Sequence, residues 1–500
     1  MKYKRILLMV LLLLLCLPAV SCRQSQDSQN PDETLPVRTD EESRELTDVE
    51  KRAQETDFLP ELDYEGNTIT TYSFRENYEL DTEGSQEETS DLVLDSVYQR
   101  NQVVERRLNV VIDNRVSNVS TWGEYATELS ILSMNDLDEY QIIYTMGNSA
   151  IQAGNTDVFR DVNSLEYLSL DAAWWWKDAM EALSFDGKSY RFLVGDICLT
   201  NYTKAGMVLV NSTDYNAHFT EEGIDGLYDL AIAGNWTVEE LKTRAAQVYT
   251  DLNQDGLSLT GGDYIGLAVG NFEYLKYLEY GFDVQRYSRD EDGCVILDYD
   301  LERASAAVDS LIDLIFRTDG VYWQEDYLKI SDFAAGNILF TVAQLGALSN
   351  ATLREMEDLY GMMPLPKLDM NQREYMSNIQ NSSTLVAVPN TCRDTAFASA
   401  VIEALCTESY RTVVLPFFEI TLKIRYSKDS RMGEIIDLVS EGATKNFLYE
   451  YQASGGCGVL IASTVMMEVN RISSNFDSVG PSTEEMLRQM KERLNPSAAG

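Results

Sequence analysis

The chain is poor in the residues on which much enzyme chemistry depends. It has one histidine in 500 residues, His218, which argues against a His-based triad; beside Asn216 it reads as a solvated turn residue. Setting aside Cys16 and Cys22, the cysteines are Cys198, Cys294, Cys392, Cys406 and Cys457, an odd and widely spaced set that is no disulfide framework. There is no CxxC and no Cys/His cluster, so an ordinary zinc site is excluded. Positive charge is scarce: 40 Lys and Arg stand against 81 Asp and Glu, for a formal net charge of −41. Such a surface repels phosphates, which argues against nucleic acid or an anionic membrane surface as partner.

What is present begins with an export signal. Lys2, Lys4 and Arg5 precede an apolar run from Ile6 to Leu17, too short to span a bilayer, and the small residues Ala19-Val20-Ser21 lead to Cys22. That end resembles a bacterial lipobox, in which the cysteine is lipidated and becomes the mature N-terminus. Removing residues 1–21 takes away three positive charges and moves the net charge from −41 to −44. Residues 22–58 read as a lipid anchor followed by an acidic, solvated tether with few large apolar residues. The remainder, in a chain 44% hydrophobic and 10% aromatic, is long enough for two or three domains with buried cores.

The most explicit local chemistry lies between Asn235 and Gly266. Thr237 and Glu240 form a capping-box pattern at the start of a helix, and Leu241, Ala245 and Val248 recur on one of its faces up to about Thr250. Asp251, Asn253 and Asp255 then alternate, Gly256 supplies a sharp turn, and Leu257 offers a backbone carbonyl, as in an EF-hand calcium loop. The twelfth position is Gly262, however, and the nearest carboxylate, Asp263, comes one residue late with a shorter side chain than the usual Glu. The segment is either a weak structural calcium site formed by Asp251, Asn253, Asp255, Leu257 and Asp263, or an Asx-rich turn that binds only water.

From Thr68 onward, strand and helix patterns alternate. Strands are expected at Thr68–Phe74, Val110–Ile112 and Tyr140–Tyr144, with a helix carrying Val93, Val97, Val104 and Leu108 on one face. This is the pattern of a parallel α/β sheet, in which ligands bind at the carboxyl ends of strands, so Asn148 and Ser149 become candidate ligand contacts. Trp174-Trp175-Trp176 cannot all face one way; at least one packs inward and another can offer a ring face to a sugar. Phe185–Tyr190 reads as a hairpin and Met207–Val210 as a strand. Thr391–Ser409 reads as a helix, and Ser482-Thr-Glu-Glu485 as the cap of a final amphipathic helix.

These residues together resemble the family 1 extracellular solute-binding lipoproteins, the substrate-capturing components of bacterial carbohydrate ABC importers, in the long form found in clostridia-like Firmicutes. The resemblance rests on Tyr98-Gln-Arg-Asn101, Glu105-Arg-Arg-Leu-Asn109, Trp174-Trp175, Gly187-Lys-Ser-Tyr190, Val210-Asn211 and Asn235-Trp236-Thr237. It rests also on the loop at Asp251, Gly361-Met-Met-Pro-Leu-Pro-Lys367, Val388-Pro-Asn390 and Arg425-Tyr-Ser-Lys-Asp429. It implies a periplasmic-binding-protein-like type II α/β fold, two lobes joined by hinge segments, with 59–202 plus 349–415 in the first lobe and 203–348 plus 416–500 in the second. A clamp of that kind closes on ligand only if both lobes touch it. The expected contacts are therefore Asn148, Ser149, Trp175 and Trp176 in the first lobe, Asn201 and Tyr202 beside the hinge, and Tyr449 and Tyr451 from the second lobe. The implied protein is a monomer, lipid-anchored through Cys22 on the extracellular face of the cell membrane, binding a carbohydrate and meeting ABC permease subunits but no nucleic acid. Two alternatives stand beside it: a secreted glycan-active enzyme using a carboxylate pair, and a sensory or adhesion lipoprotein using the same clamp.

Overall fold

Elements form where local chemistry starts and stops them, and among the described residues they build one four-stranded sheet, one five-stranded sheet and two two-stranded ones. The computed structural model describes residues 48–85, 91–152, 158–254, 263–324, 330–417, 430–452 and 455–494. Helix α1 (Asp48–Gln54) precedes strand β1 (Asn67–Ser73). Helix α2 (Leu92–Leu108) begins where the Asp91 carboxylate accepts from the amides of Val93 and Leu94, and ends where Asn109 turns left-handed at φ 49°, a conformation asparagine tolerates. β2 (Val110–Val116), α3 (Trp122–Met134), β3 (Ile142–Met146), α4 (Gly147–Gln152) and α5 (Lys177–Leu183) follow. A single helical turn, α6 (Thr200–Thr203), carries the chain to β4 (Gly206–Asn211).

Next come α7 (Val238–Val248), β5 (Ile265–Val269), α8 (Phe272–Gly281), the hairpin of β6 (Tyr287–Arg289) and β7 (Val295–Leu297), and α9 (Leu301–Phe316). β8 (Val321–Trp323), β9 (Ile338–Gln344), β10 (Tyr360–Met363), β11 (Ser377–Asn378) and β12 (Thr384–Ala387) lead to the long α10 (Thr395–Thr412). The chain finishes with α11 (Ser430–Glu441), β13 (Ala443–Thr444), α12 (Phe447–Tyr451), α13 (Leu460–Val465) and α14 (Ile472–Leu494).

The first sheet runs β12-β3-β1-β2, with β1 parallel to β2 and β3, and β12 antiparallel to β3. The second runs β10-β4-β9-β5-β8, with β5 parallel to β8 and β9, and β4 antiparallel to β9 and β10. Each has its own apolar core. Ile69, Leu129, Ile143 and Leu385 belong to one; Leu209, Leu267, Leu311 and Phe340 belong to the other. The chain crosses between the sheets along Thr200–Ala205, along Ile379–Ser383, and again at the end of α10, where Tyr410 packs on the first core and Val413 and Phe417 on the second.

Tyr360–Met363 was expected with the first lobe (349–415), yet β10 pairs with β4 at the edge of the second sheet, so the return crossing comes near residue 380 rather than 349. Phe185–Tyr190 is a turn rather than a hairpin: the Asp186 carboxylate accepts from the amides of Lys188 and Ser189, and the strand facing it comes from elsewhere in the chain. The last helix does not begin at Ser482. α14 starts ten residues earlier, at Ile472, and runs through Pro481, leaving Ser482 to donate back to the Val479 carbonyl at 2.7 Å. At α7 the cap is half of a capping box. Thr237 Oγ1 accepts from the Glu240 amide at 3.4 Å, but the Glu240 carboxylate engages Arg244 instead of returning to the cap.

Candidate functional site

The register fixes which sheet edges face one another. Thr384, the first residue of β12, pairs with Met146, the last of β3, so the Ile379–Ser383 crossing enters the first sheet at the carboxyl ends of β1, β2 and β3. Gly206, the first residue of β4, pairs with Gln344, the last of β9, so the Thr200–Ala205 crossing enters the second sheet at the carboxyl ends of β9 and its parallel neighbours β5 and β8. The two carboxyl edges are therefore joined by the crossings. That is where open α/β sheets place ligands.

At this junction one side chain, Gln380, collects groups from both sides. Its Oε1 accepts from Gln344 Nε2 at 2.7 Å and Ser382 Oγ at 3.0 Å, its Nε2 donates to Glu273 Oε2 at 3.1 Å, and its amide donates to the Lys204 carbonyl at 3.1 Å. Lys204 Nζ pairs with Glu76 Oε1, just past β1, at 3.0 Å. Asn77 Nδ2 donates to the Ser382 carbonyl at 2.7 Å and to Thr384 Oγ1 at 3.0 Å, and the Asn148 amide donates to the Asn381 carbonyl at 3.3 Å. α12 brings a buried pair: Lys445 Nζ, ahead of it, donates to Glu450 Oε1 at 2.9 Å and to Ser383 Oγ at 2.5 Å. A Cβ at residue 147 would lie 1.9 Å from Glu450 Oε2, so the start of α4 admits this carboxylate only because it is glycine.

Charge at the junction is balanced locally. Lys204 is matched by Glu76, Lys276 by Glu273 at 2.8 Å, and Lys445 by Glu450. Lys276 is buried, with its Nζ 5.4 Å from the centre of the Phe272 ring and 5.0 Å from that of Tyr449. Half-buried aromatic surface adjoins the strand ends at Phe272 and Trp323, and Trp122, at the start of α3, stays exposed.

Most side chains expected to touch ligand are engaged inside the protein. Asn148 is half-buried at the end of β3, at the junction itself. Ser149, at 0% exposure, donates Oγ to the Trp122 carbonyl at 3.1 Å. Trp175, at 5%, gives its indole N–H to Glu403 Oε2 at 2.9 Å, while Trp174 binds the other oxygen. Burial raises the Glu403 carboxyl above its ordinary range, and the two indoles pull it back down. Trp176 and Tyr202 form a T-shaped pair with ring centres 4.7 Å apart and both donate to Asp196 Oδ1, at 2.9 and 2.7 Å. Burial pushes the Asp196 carboxyl up to about 6 against those two donors. Asn201, at 0%, points Nδ2 at the Gly195 carbonyl, 3.5 Å away.

Tyr449 is 1% exposed, edge-on to Tyr280 at 5.1 Å, and Tyr451 stacks on Phe447 at 4.2 Å. Four of the eight expected contacts, Ser149, Trp175, Asn201 and Tyr449, are buried, while Asn148, Trp176, Tyr202 and Tyr451 are half-buried. A polar or aromatic side chain beside a strand end looks the same in sequence whether it meets ligand or its own backbone. Glu76, Lys204, Glu273, Gln344, Gln380, Lys445 and Glu450, which meet at the junction, are not among the expected contacts. The rule that selected Asn148 at the end of β3 also selects Glu76 and Asn77 at the end of β1; nothing local marks the others.

The loop at Asp251 is a stapled turn in its described part. Asp251 Oδ1 accepts from the Gln254 amide at 2.5 Å, buried Asp263 accepts from the Leu252 amide at 3.0 Å, and Thr250 and Tyr264 exchange backbone hydrogen bonds at its neck. Asn253 is exposed, and Asp255 and Leu257 lie outside the described residues. Among the described residues there is no group of three or more His, Cys, Asp or Glu arranged to hold a metal ion. Cys22 likewise lies outside the described residues.

No family model matches the chain, and no curated protein does. Solved structures do. The chain is similar to the GacH receptor of Streptomyces glaucescens GLA.O, solved unliganded and with acarbose and an acarbose homolog, at 13% identity over 85% of this chain and 99% of that one, with a TM-score of 0.51. It is similar to the ABC substrate-binding protein Lmo0181 from Listeria monocytogenes in complex with cycloalternan, at 12% identity over 84% and 99%, TM-score 0.50. It is also similar to UgpB from Mycobacterium tuberculosis in complex with glycerophosphocholine, at 10% identity over 85% and 99%, TM-score 0.52. At these identities the likeness is one of fold. The fold is α/β and that of the type II periplasmic-binding-protein-like solute-binding proteins.

Proposed function

We propose that this chain is a solute-binding protein that captures a neutral oligosaccharide between its two sheets and delivers it to an ABC importer. In this reading it is a monomer held on the extracellular face of the cell membrane by a lipid on Cys22, after removal of residues 1–21. The observation that carries it is the junction of the two carboxyl edges, where amides, hydroxyls and three internally matched Lys/Glu pairs meet half-buried aromatic rings. Amides and hydroxyls recognise sugar hydroxyls, aromatic faces stack on pyranose rings, and a junction whose charges cancel in pairs favours a neutral solute. The carbohydrate ligands of the GacH receptor and of the Listeria protein support the same class.

The test is a thermal-shift screen across mono- and oligosaccharides, with glycerophosphodiesters, peptides and polyamines as counter-classes, because a ligand bound only by the native state raises the melting temperature. A carbohydrate hit is expected. Stabilisation confined to the counter-classes refutes the sugar reading; Arg75, exposed just past β1, would then be the first residue to examine for an anionic ligand. Turnover of labelled oligosaccharides by purified protein would replace the binding reading with the enzymatic one. Within the same proposal, calcium in the 251–263 loop is a brace: adding it raises the melting temperature and chelation leaves sugar affinity unchanged. A large loss of affinity on chelation contradicts that.

A further inference from the structure

The turn after α5 belongs to the first lobe by its anchors. Ala179, Met180 and Leu183 sit in the first core, the Trp176 amide donates to the Val194 carbonyl at 2.9 Å, and the Val162 amide donates to the Tyr190 carbonyl at 2.7 Å. The β6–β7 hairpin belongs to the other side. It leads directly into α9 of the second core, and Lys491 of α14 holds its turn through Asp290 at 2.6 Å and Asp292 at 3.3 Å.

These two pieces are fastened to each other. Arg289 spreads its guanidinium over the carbonyls that end α5. Nη2 donates to Glu181 at 2.7 Å and Ser184 at 2.9 Å, and Nη1 to Phe185 at 3.1 Å, while Nη1 also holds its own hairpin at the Gly293 carbonyl, 2.8 Å away. The Val295 amide donates to the same Phe185 carbonyl at 2.9 Å, and Lys188 Nζ donates to the Asp292 carbonyl at 3.1 Å. The Phe185 side chain leaves its own lobe and buries itself among Val295, Phe447, Leu448 and Leu487. Gly293, at φ 89°, has its Cβ position 2.7 Å from the Asp186 carbonyl, so only glycine lets the hairpin tip come this close.

We propose that Arg289 is the pin of a clasp between the lobes, so that the cleft opens only when the β6–β7 hairpin releases the turn after α5. The planar guanidinium matters because it reaches several carbonyls at once, which a lysine ammonium on a flexible stem does not reproduce. Without ligand, the clasp biases the protein toward the clamped arrangement. The bound state is then prepared in advance, and less of the ligand's binding energy is spent on closing. This proposal needs no particular ligand, and its failure would leave the carbohydrate reading intact.

The experiment is native-state hydrogen exchange on the full mature chain without ligand, comparing wild type with Arg289→Ala and Arg289→Lys. Two amides decide it: Val295, which crosses the clasp, and Asn148, which donates to Asn381 in the cleft, away from the hairpin. In wild type, Val295 is expected to exchange far more slowly than Glu291 in the exposed turn. In both variants Val295 and Asn148 are expected to speed up together, by about tenfold or more, while amides of β5 and β9 hold their rates. Acceleration confined to Val295 assigns Arg289 a local role and overturns the clasp. If neither variant folds, the wild type still decides: a Val295 amide exchanging as fast as the turn also overturns it.

Discussion

Replacing Lys445 with methionine probes the junction at its most committed point. The ammonium is the partner of a carboxylate, Glu450, whose side chain is as fully buried as its own. Among the described residues Glu450 Oε1 is engaged, at 2.9 Å, and Oε2 has no hydrogen-bond partner against Gly147, so most compensation for that buried charge comes from Lys445. Removing one member of such a pair strands the other and typically costs about 3–5 kcal/mol, whereas removing both charges is close to neutral. Lys445→Met is therefore expected to lower stability by about 3–5 kcal/mol, read as a shift in the urea midpoint at pH 7.5. Lys445→Met combined with Glu450→Gln should regain more than half of that loss, and the non-additivity measures the coupling between the two groups. Gly147→Ala should act on the same pair from the other side, because its Cβ would drive Oε2 off its present position. A loss below about 1 kcal/mol for Lys445→Met, or strictly additive behaviour, would refute the idea that this pair holds α12 to the crossing.

Arg286 and Glu279 pair at 2.9 Å in the second lobe, both buried, and Glu279 Oε2 also accepts the Ala462 amide at 2.9 Å. Burial raises the Glu279 carboxyl and Arg286 opposes it, so Arg286→Met pushes it higher still. A raised carboxyl contributes stability at low pH that is lost as pH rises, so this variant should lose more stability at pH 8 than at pH 5, by calorimetry. Asp196, pushed up from 3.8 to about 6, follows the same sign: its contribution is complete below about pH 4 and gone above about pH 6, some 3 kcal/mol across that window. Asp196→Asn should flatten the stability–pH profile between pH 4 and 7, and an unchanged slope in urea melts would contradict the assignment. Thr237→Ala, which removes the cap of α7, should cost about 1 kcal/mol in thermal melts.

Many elements are legible in the sequence because their signals are local. The run of β-branched and aromatic residues at Thr68–Phe74 became β1, and the valine spacing from Val93 to Leu108 became α2. The motif Tyr98–Asn101 acquired its meaning only in three dimensions. Arg100 and Asn101 are buried and donate to the carbonyls of Asp81 and Thr82, with Arg100 reaching Ile197 beside the first crossing as well, so the motif braces the hinge. The candidate site was far less legible. Gln380 draws on Lys204, Glu273 and Gln344, and Lys445 on Ser383; these groups are separated by tens to more than a hundred residues, and no spacing rule connects them.

Local sequence specified the alternation of strand and helix and the Thr237 cap of α7. Each follows from φ/ψ preference and side-chain period within a few residues. The pairing of β10 with the second sheet, and the burial of Ser149, Trp175, Asn201 and Tyr449, follow from contacts between residues far apart in the chain. So does the meeting of both carboxyl edges at Gln380. A hydroxyl, an amide or an indole satisfies its hydrogen bonds with whichever partner the packed chain brings within 3 Å, and that choice is made between residues far apart in sequence.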